Sequence, residues 1–215
     1  MEQQDDNLED YILSHIGEED PILAKLNRET HLKILYSRML SGHLQGKILT
    51  MLSHMIRPKR ILELGTFTGY SAICLAKGLQ EDGKLTTIEH NDELEGMIRK
   101  YFAEAGMDHK IELFIGDIDQ IVPNLSDSFD LVFLDADKRQ YLNHYHLVFS
   151  KVNMGGYIIA DNILWSGKVT ETPSPSDDQT KGIIEFNDFI ANDSRVEKVI
   201  LPIRDGMTII RKIRD

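Results

Sequence analysis

The sequence predicts an α/β protein with a doubly wound, mostly parallel sheet of seven strands, a C-terminal antiparallel hairpin and extra helices at the N-terminus. Three observations predict it. Apolar residues recur at helical spacing from Leu8 to Ile56. From Arg60 onward, five short apolar runs alternate with helical stretches, each change marked by Gly, Asp or Asn. The last two strand-like runs are separated by only the segment Ile203 to Gly206, a link too short for anything but a hairpin.

The N-terminal periodicity runs through Leu8, Tyr11, Ile12 and His15, then Leu23, Leu26 and Thr30, then Ile34, Leu35 and Met39, and finally Ile48, Leu52 and Met55, until Arg57-Pro58 stops it. Strands follow at Arg60–Leu64, Leu85–Glu89, Ile111–Ile115, Leu131–Asp135 and Tyr157–Ala160. Helices are expected near Gly69–Leu79, Asp92–Ala105, Asp117–Val122, Gln140–Val152 and Thr180–Ala191. Near-continuous apolar strands joined by helices require a parallel sheet covered on both faces. Val196–Pro202 and Met207–Lys212 then add one antiparallel strand. A parallel sheet closed this way is the Rossmann-like ground plan of the class I methyltransferases, not the usual plan of nicotinamide dehydrogenase domains. Thr170–Asp178, with Pro173, Ser174, Pro175 and Ser176, is the one linker-like piece. It reads equally as a lid over a site or a plain surface loop.

The length of 215 residues and 41% hydrophobic content suit a single domain spanning 1–215, with 1–56 as its helical N-terminal segment. Lys plus Arg number 24 against 35 Asp plus Glu, giving a net charge of -11, which argues against nonspecific binding to nucleic acid or anionic membrane. Cys74 is the only cysteine, so internal disulfides and Cys-x-x-Cys metal or redox sites are excluded and a cytoplasmic location is expected. The acidic start lacks the features of a signal peptide, and no apolar run has the length of a membrane span.

The first strand runs into Gly65-Thr66-Phe67-Thr68-Gly69, which lacks the third close glycine of a dinucleotide fingerprint. Glu89 closes the second strand, where a carboxylate can accept hydrogen bonds from both hydroxyls of a ribose, and Asp117 follows the third. Together these features suit an adenosine cofactor without a pyrophosphate, namely S-adenosylmethionine. Singly, the glycines read as tight turns and Glu89 as a solvated strand end.

A second set of residues lies after the fourth and fifth strands. Asp135 and Asp161, with the amide oxygen of Asn162, fall at neighbouring strand ends roughly 4.8 Å apart. Such hard oxygen donors favour a divalent cation, Mg²⁺, Mn²⁺ or Ca²⁺, over zinc; each Asp alone would read as a helix cap. Lys138, at the start of a helix, is either a proton acceptor or a flexible surface lysine. Met39, Tyr70 and Trp165 are candidates for a substrate pocket, with core packing the alternative for Met39 and Tyr70. None of the eight histidines is assigned as a ligand.

These residues resemble the cation-dependent O-methyltransferases related to the caffeoyl-CoA and catechol enzymes. The resemblance covers nearly the whole chain, through the strings MLSGHLQG at 39–46, ELGTFTGYSAICLA at 63–76, FLDADKRQY at 133–141, IIADNILWSGKV at 158–169 and DGMTIIRKI at 205–213. It implies that Ser41, Glu63, Gly65, Thr66, Ser71, Glu89 and Asp117 bind S-adenosylmethionine, with Asp135 near its methionine end. It further implies that Asp135, Asp161 and Asn162 hold the cation, that Lys138 is the general base and that Met39 packs near the transferred methyl. Asp137 stands where the animal catechol enzymes carry a tryptophan, and the segment after Asn162 follows bacterial and plant members. The expected substrate is a small catechol or hydroxycinnamate-like phenol, because the cations that could meet nucleotide phosphates, Arg38, Lys168, Lys181 and Arg204, lie in separate segments. A homodimer formed through the N-terminal helices is implied by the resemblance. The main rival is methylation of a hydroxylated uridine in transfer RNA, against which the net charge counts; a non-catalytic cofactor sensor and a dehydrogenase are the others.

Overall fold

The computed structural model describes residues 2–215, with side chains described from residue 7 onward. Three helices come first: α1 (Glu2–His15), α2 (Pro21–Lys33) and α3 (Gly42–Ile56), with a 3-10 turn at Ser37–Met39 before the last. The α/β part follows as β1 (Arg60–Leu64), α4 (Tyr70–Ala76), β2 (Lys84–Glu89), α5 (Glu95–Glu104), β3 (Ile111–Ile115), α6 (Ile118–Ile121), β4 (Phe129–Leu134), α7 (Tyr141–Phe149), β5 (Val152–Asp161) and α8 (Asp178–Asn192). The hairpin β6 (Val196–Leu201) and β7 (Met207–Lys212) ends the chain.

All seven strands form one sheet in the order β3-β2-β1-β4-β5-β7-β6. The first five are parallel, and β7 runs antiparallel to both β5 and β6. The expected ground plan is therefore the observed one. Register decides the rest: Leu64 pairs with Ile88 and Leu134, and Leu134 with Ala160. The carboxyl ends of β1, β4 and β5 finish level, so Gly65, Asp135 and Asp161 stand in a row. In doubly wound sheets ligands bind beyond these carboxyl ends, at the point where strand order reverses.

Alternating strand residues feed two apolar layers. Leu62, Leu64, Val132 and Leu134 face a cluster containing Tyr141, Tyr145 and Phe186 of α7 and α8. Ile61, Leu85, Leu131 and Phe133 face the other cluster, with Leu49, Ile73 and Leu75 of α3 and α4. Fully buried side chains such as Phe133 and Phe186 each contribute about 1.5–3 kcal/mol relative to exposure.

Several boundaries differ from the sequence expectation. The fourth strand ends at Leu134, leaving Asp135 as the first loop residue, and α4 begins at Tyr70 because Gly69 is left-handed at φ 93°. The fifth strand starts at Val152, where a helix was expected to end, since Val152 pairs with Phe129 before the register shifts towards Leu131–Tyr157. Gly155, at φ 80°, supplies the backbone freedom that this irregularity needs. The helix expected near Gln140 opens as a separate 3-10 turn, Lys138–Gln140, capped by Asp137. Among the described residues, no helix is long and apolar enough to cross a membrane.

Candidate active site

The turn after β1 is held by its neighbours. Gly65, at φ 97°, lies so close to β4 that an added Cβ would meet the Asp135 carbonyl oxygen at 2.1 Å, and one on Gly69 would meet the Phe102 ring at 2.7 Å. Packing therefore explains both glycines. Phe67 takes the left-handed region at φ 50°, and its N–H donates to Glu89 Oε2 at 2.7 Å, while Asn91 N–H donates to Glu89 Oε1 at 2.9 Å. Glu89 is thus no solvated strand end: it ties the β1 turn to the β2 turn. Each of its oxygens still has a lone pair for a ribose hydroxyl.

Glu63 is completely buried at the foot of this turn. Its Oε2 accepts from Thr87 Oγ1 at 2.5 Å, and that hydroxyl also meets Thr66 Oγ1 at 2.5 Å. Its Oε1 makes no close hydrogen bond, although the nearby Ser71 hydroxyl eases its charge. Burial pushes the Glu63 carboxyl up to about 8. An orphaned buried carboxylate oxygen is costly, and a ligand donor beside it would remove that cost. Ser71 is buried in the first turn of α4, whereas exposed Asp117 caps α6 through a bond from Asp119 N–H to its Oδ1 at 2.8 Å.

Beyond β4 and β5 the second set converges. Lys138 Nζ donates to Asp135 Oδ1 at 2.8 Å and lies 2.5 Å from the Tyr141 hydroxyl. Lys138 is only 7% exposed, which removes the reading as a flexible surface lysine. Gly182 lets α8 press on this turn, since a Cβ there would meet the Lys138 carbonyl oxygen at 2.5 Å. Asp161 is buried; its Oδ2 accepts from Gln45 Nε2 at 2.6 Å and its Oδ1 from Asn162 N–H at 2.9 Å. Burial, and then the charge of Asp135, raise the Asp161 carboxyl above its ordinary range. A buried carboxylate whose ionised form is disfavoured beside a second carboxylate fits a cation placed between them. Asn162, left-handed at φ 57°, brings an amide to the same strand end. Among the described residues no three His, Cys, Asp or Glu side chains form a metal cluster; the set here has two carboxylates and one amide.

The loops above the site are strapped together. Ile163 N–H donates to Gly206 O at 3.2 Å, Leu164 N–H to Asp205 O at 2.9 Å, and Ser166 N–H to the Asp205 carboxylate. Half-buried Trp165, at φ 48°, sits on this strap. Met39 is exposed, not core, whereas Tyr70 is core, with its hydroxyl bonded to Glu19 Oε1 at 2.6 Å. Sequence reasoning missed Gln45 and Tyr141, and it named Arg204 only as a cation that could meet nucleotide phosphates, whereas Arg204 bonds to Gln45 and Ser41. Gln45 and Tyr141 lie inside motif strings, but an amide and a phenol carry no pattern that marks them out. An open groove of about 610 Å³ at the opposite end of the sheet includes Arg60, Lys84 and Arg99 in its lining. Those cations are occupied by Asp127, the His109 carbonyl and Glu95 respectively.

Comparison with known proteins agrees with this geometry. The O-methyltransferase family model matches residues 13–213. Caffeoyl-CoA O-methyltransferase 1 of Nicotiana tabacum is 35% identical over 98% of this chain and 93% of its own. The O-methyltransferase TomG from Streptomyces achromogenes, solved with S-adenosylmethionine, superposes with a TM-score of 0.89 at 30% identity, covering 96% of each chain. A Bacillus cereus O-methyltransferase solved with S-adenosylhomocysteine gives 0.86 at 26% identity, covering 96% of this chain and 97% of its own. The chain belongs to the O-methyltransferase family that includes the caffeoyl-CoA enzymes, and it is an S-adenosylmethionine-dependent O-methyltransferase.

Proposed function

We propose that the protein methylates one of two vicinal hydroxyls on a small catechol or hydroxycinnamate-like phenol, with a divalent cation held by Asp135, Asp161 and Asn162. The observation that carries this reading is the meeting of Asp135, Lys138 and Asp161 at neighbouring strand ends beside the orphaned carboxylate of Glu63. Ser41, Glu63, Gly65, Thr66, Ser71, Glu89 and Asp117 form the cofactor side. A bound cation, Mg²⁺ by the hardness of the donors, supplies charge that makes a phenolic hydroxyl more acidic.

Lys138 Nζ, once it has released its own proton, takes the phenolic proton. The phenolate oxygen forms a bond to the methyl carbon as the carbon–sulfur bond breaks, leaving S-adenosylhomocysteine. Such a displacement depends on alignment, and the buried seat of Lys138 with its Tyr141 contact supplies a fixed position for the acceptor. Met39 and Trp165 flank the substrate at the mouth.

The tobacco relative is named for caffeoyl-CoA, but a small phenol is the better fit here. Lys168 pairs with Asp177, Lys181 with Asp178, and Arg204 with the Leu40–Gln45 segment, so these three cations are committed elsewhere. Exposed Leu32, Leu35, Tyr36, Met51 and Met55 in the N-terminal segment support pairing of two copies. Lone buried Cys74 suits a reducing cytoplasm.

The test is methyl transfer to a panel of catechol, caffeate, caffeoyl-CoA and hydroxylated transfer RNA, each with Mg²⁺ and with EDTA. Methylation of a small catechol that stops with EDTA is the expected result. Turnover of RNA alone, or of a phenol undisturbed by EDTA, would overturn the reading.

A further inference from the structure

The turn of the C-terminal hairpin reaches the site through one side chain. Arg204, between β6 and β7, donates from Nη1 to Gln45 Oε1 at 2.6 Å and to the Ser41 carbonyl, and its Nη2 lies 3.4 Å from the Leu40 carbonyl. Gln45 is 2% exposed, and its other amide atom, Nε2, donates to Asp161 Oδ2 at 2.6 Å. A guanidinium offers donors only. The amide atom facing Arg204 must therefore be the oxygen, and the NH₂ group is forced to face Asp161. Asp161, an acceptor, selects the same orientation from the other side, so Arg204 and Asp161 together hold the amide between them.

We infer that Arg204 is a positioning residue for the methyl-transfer site: it fixes the Gln45 amide, through it the Asp161 carboxylate, and ties both to the Leu40–Ser41 backbone before α3. This rests on the proposed roles of Asp161 at the cation and Ser41 at the cofactor. Two donors from distant segments, Gln45 and the Asn162 N–H, then set the plane of the Asp161 carboxylate, so its remaining lone pairs point in fixed directions. Partners of this outer kind govern how tightly a ligating carboxylate holds its ion.

Arg204→Gly is the informative variant, because Arg204 sits at φ 51°, where glycine carries no steric cost. The side chain is removed while the turn is relieved. Mn²⁺ binding in the presence of S-adenosylhomocysteine, read by electron paramagnetic resonance, and amide hydrogen exchange over residues 39–46 are measured for wild type, Arg204→Gly, Arg204→Lys and Gln45→Leu. Arg204→Gly is expected to weaken Mn²⁺ about tenfold and to speed exchange at 40–46. Arg204→Lys should recover part of both effects. The Arg204→Gly/Gln45→Leu double variant should bind Mn²⁺ no more weakly than Gln45→Leu alone, since one residue acts through the other.

Unchanged affinity and exchange in Arg204→Gly would overturn the inference, and so would additive losses in the double variant. If wild type binds no Mn²⁺, the cation reading fails by itself. The exchange data then decide the hold of Arg204 on residues 40–46: faster exchange supports it and unchanged exchange refutes it.

Discussion

The Tyr141 hydroxyl lies 2.5 Å from Lys138 Nζ and donates to the Asp161 carbonyl oxygen at 2.8 Å, so one phenol joins the turn after β4 to the end of β5. With Asp135 on its other side, Lys138 is held at a fixed place among groups that touch the reacting atoms in the proposed chemistry. Lys138→Met keeps the length and apolar stem of the side chain while removing the amine. It is expected to lower kcat by about 10²–10⁴ and to leave S-adenosylmethionine affinity, measured by calorimetry, unchanged. A kcat within twofold of wild type would remove Lys138 from the proton transfer.

The proposed roles of Asp161 and Glu63 separate cation binding from cofactor binding. The Asp161 carboxylate bonds to Gln45 and to its neighbour's N–H, whereas Glu63, with its unpaired Oε1, is on the cofactor side in the proposed function. Asp161→Ala should therefore lose Mg²⁺-dependent turnover and retain most of its cofactor affinity. Full turnover in that variant contradicts the assignment of Asp161 as a ligand.

Glu63 makes stability depend on pH in a predictable sense. Its ordinary value is 4.5, and burial raises it to about 8 in the folded protein. The folded state thus holds a proton that the unfolded state gives up. This group's contribution is most favourable below about pH 4.5, declines as pH rises to about 8 and levels off above. Glu63→Gln should make the cofactor-free protein more stable by roughly 4 kcal/mol at pH 8, with little change at pH 4.5. Binding of the positively charged cofactor beside Glu63 should also release close to one proton at pH 7. Calorimetry in buffers of different ionisation enthalpy reads that release, and Glu63→Gln should abolish it.

Much of this site could be read from the order of residues, because strand ends and short-range spacing placed Glu89, Asp135, Lys138, Asp161 and Asn162 beyond one edge of a parallel sheet. The packing reason for Gly65 could not be read, since the atom that forbids a Cβ there belongs to Asp135, just past the end of the neighbouring strand. Gln45 and Arg204 lay further out of reach: their contact spans more than 150 positions and exists only because β7 inserts beside β5. Boundaries moved where capping chemistry overrode periodicity, as at Asp137, whose Oδ1 accepts from Arg139 N–H and opens a separate 3-10 turn.

Two glycines offer opposite outcomes for the same substitution. In Gly65→Ala the new methyl group would lie 2.1 Å from the Asp135 carbonyl oxygen, at a φ of 97° that L residues avoid. The obstacle is backbone of the residue that directly follows β4, anchored by the Asp135 N–H bond to Leu64 O, so relief requires the turns after β1 and β4 to part at the site. Destabilisation of roughly 3 kcal/mol or more is expected, at the upper end of the range for overpacking, together with loss of cofactor binding. Gly96 lies in the first turn of α5 with open space where its Cβ would be. Gly96→Ala should stabilise the protein by about 0.5–1 kcal/mol through helix propensity alone, without altering activity. Denaturant titration of both variants checks the pair, and a Gly65→Ala protein as stable as Gly96→Ala would show that β1 and β4 do not meet as closely as this register places them.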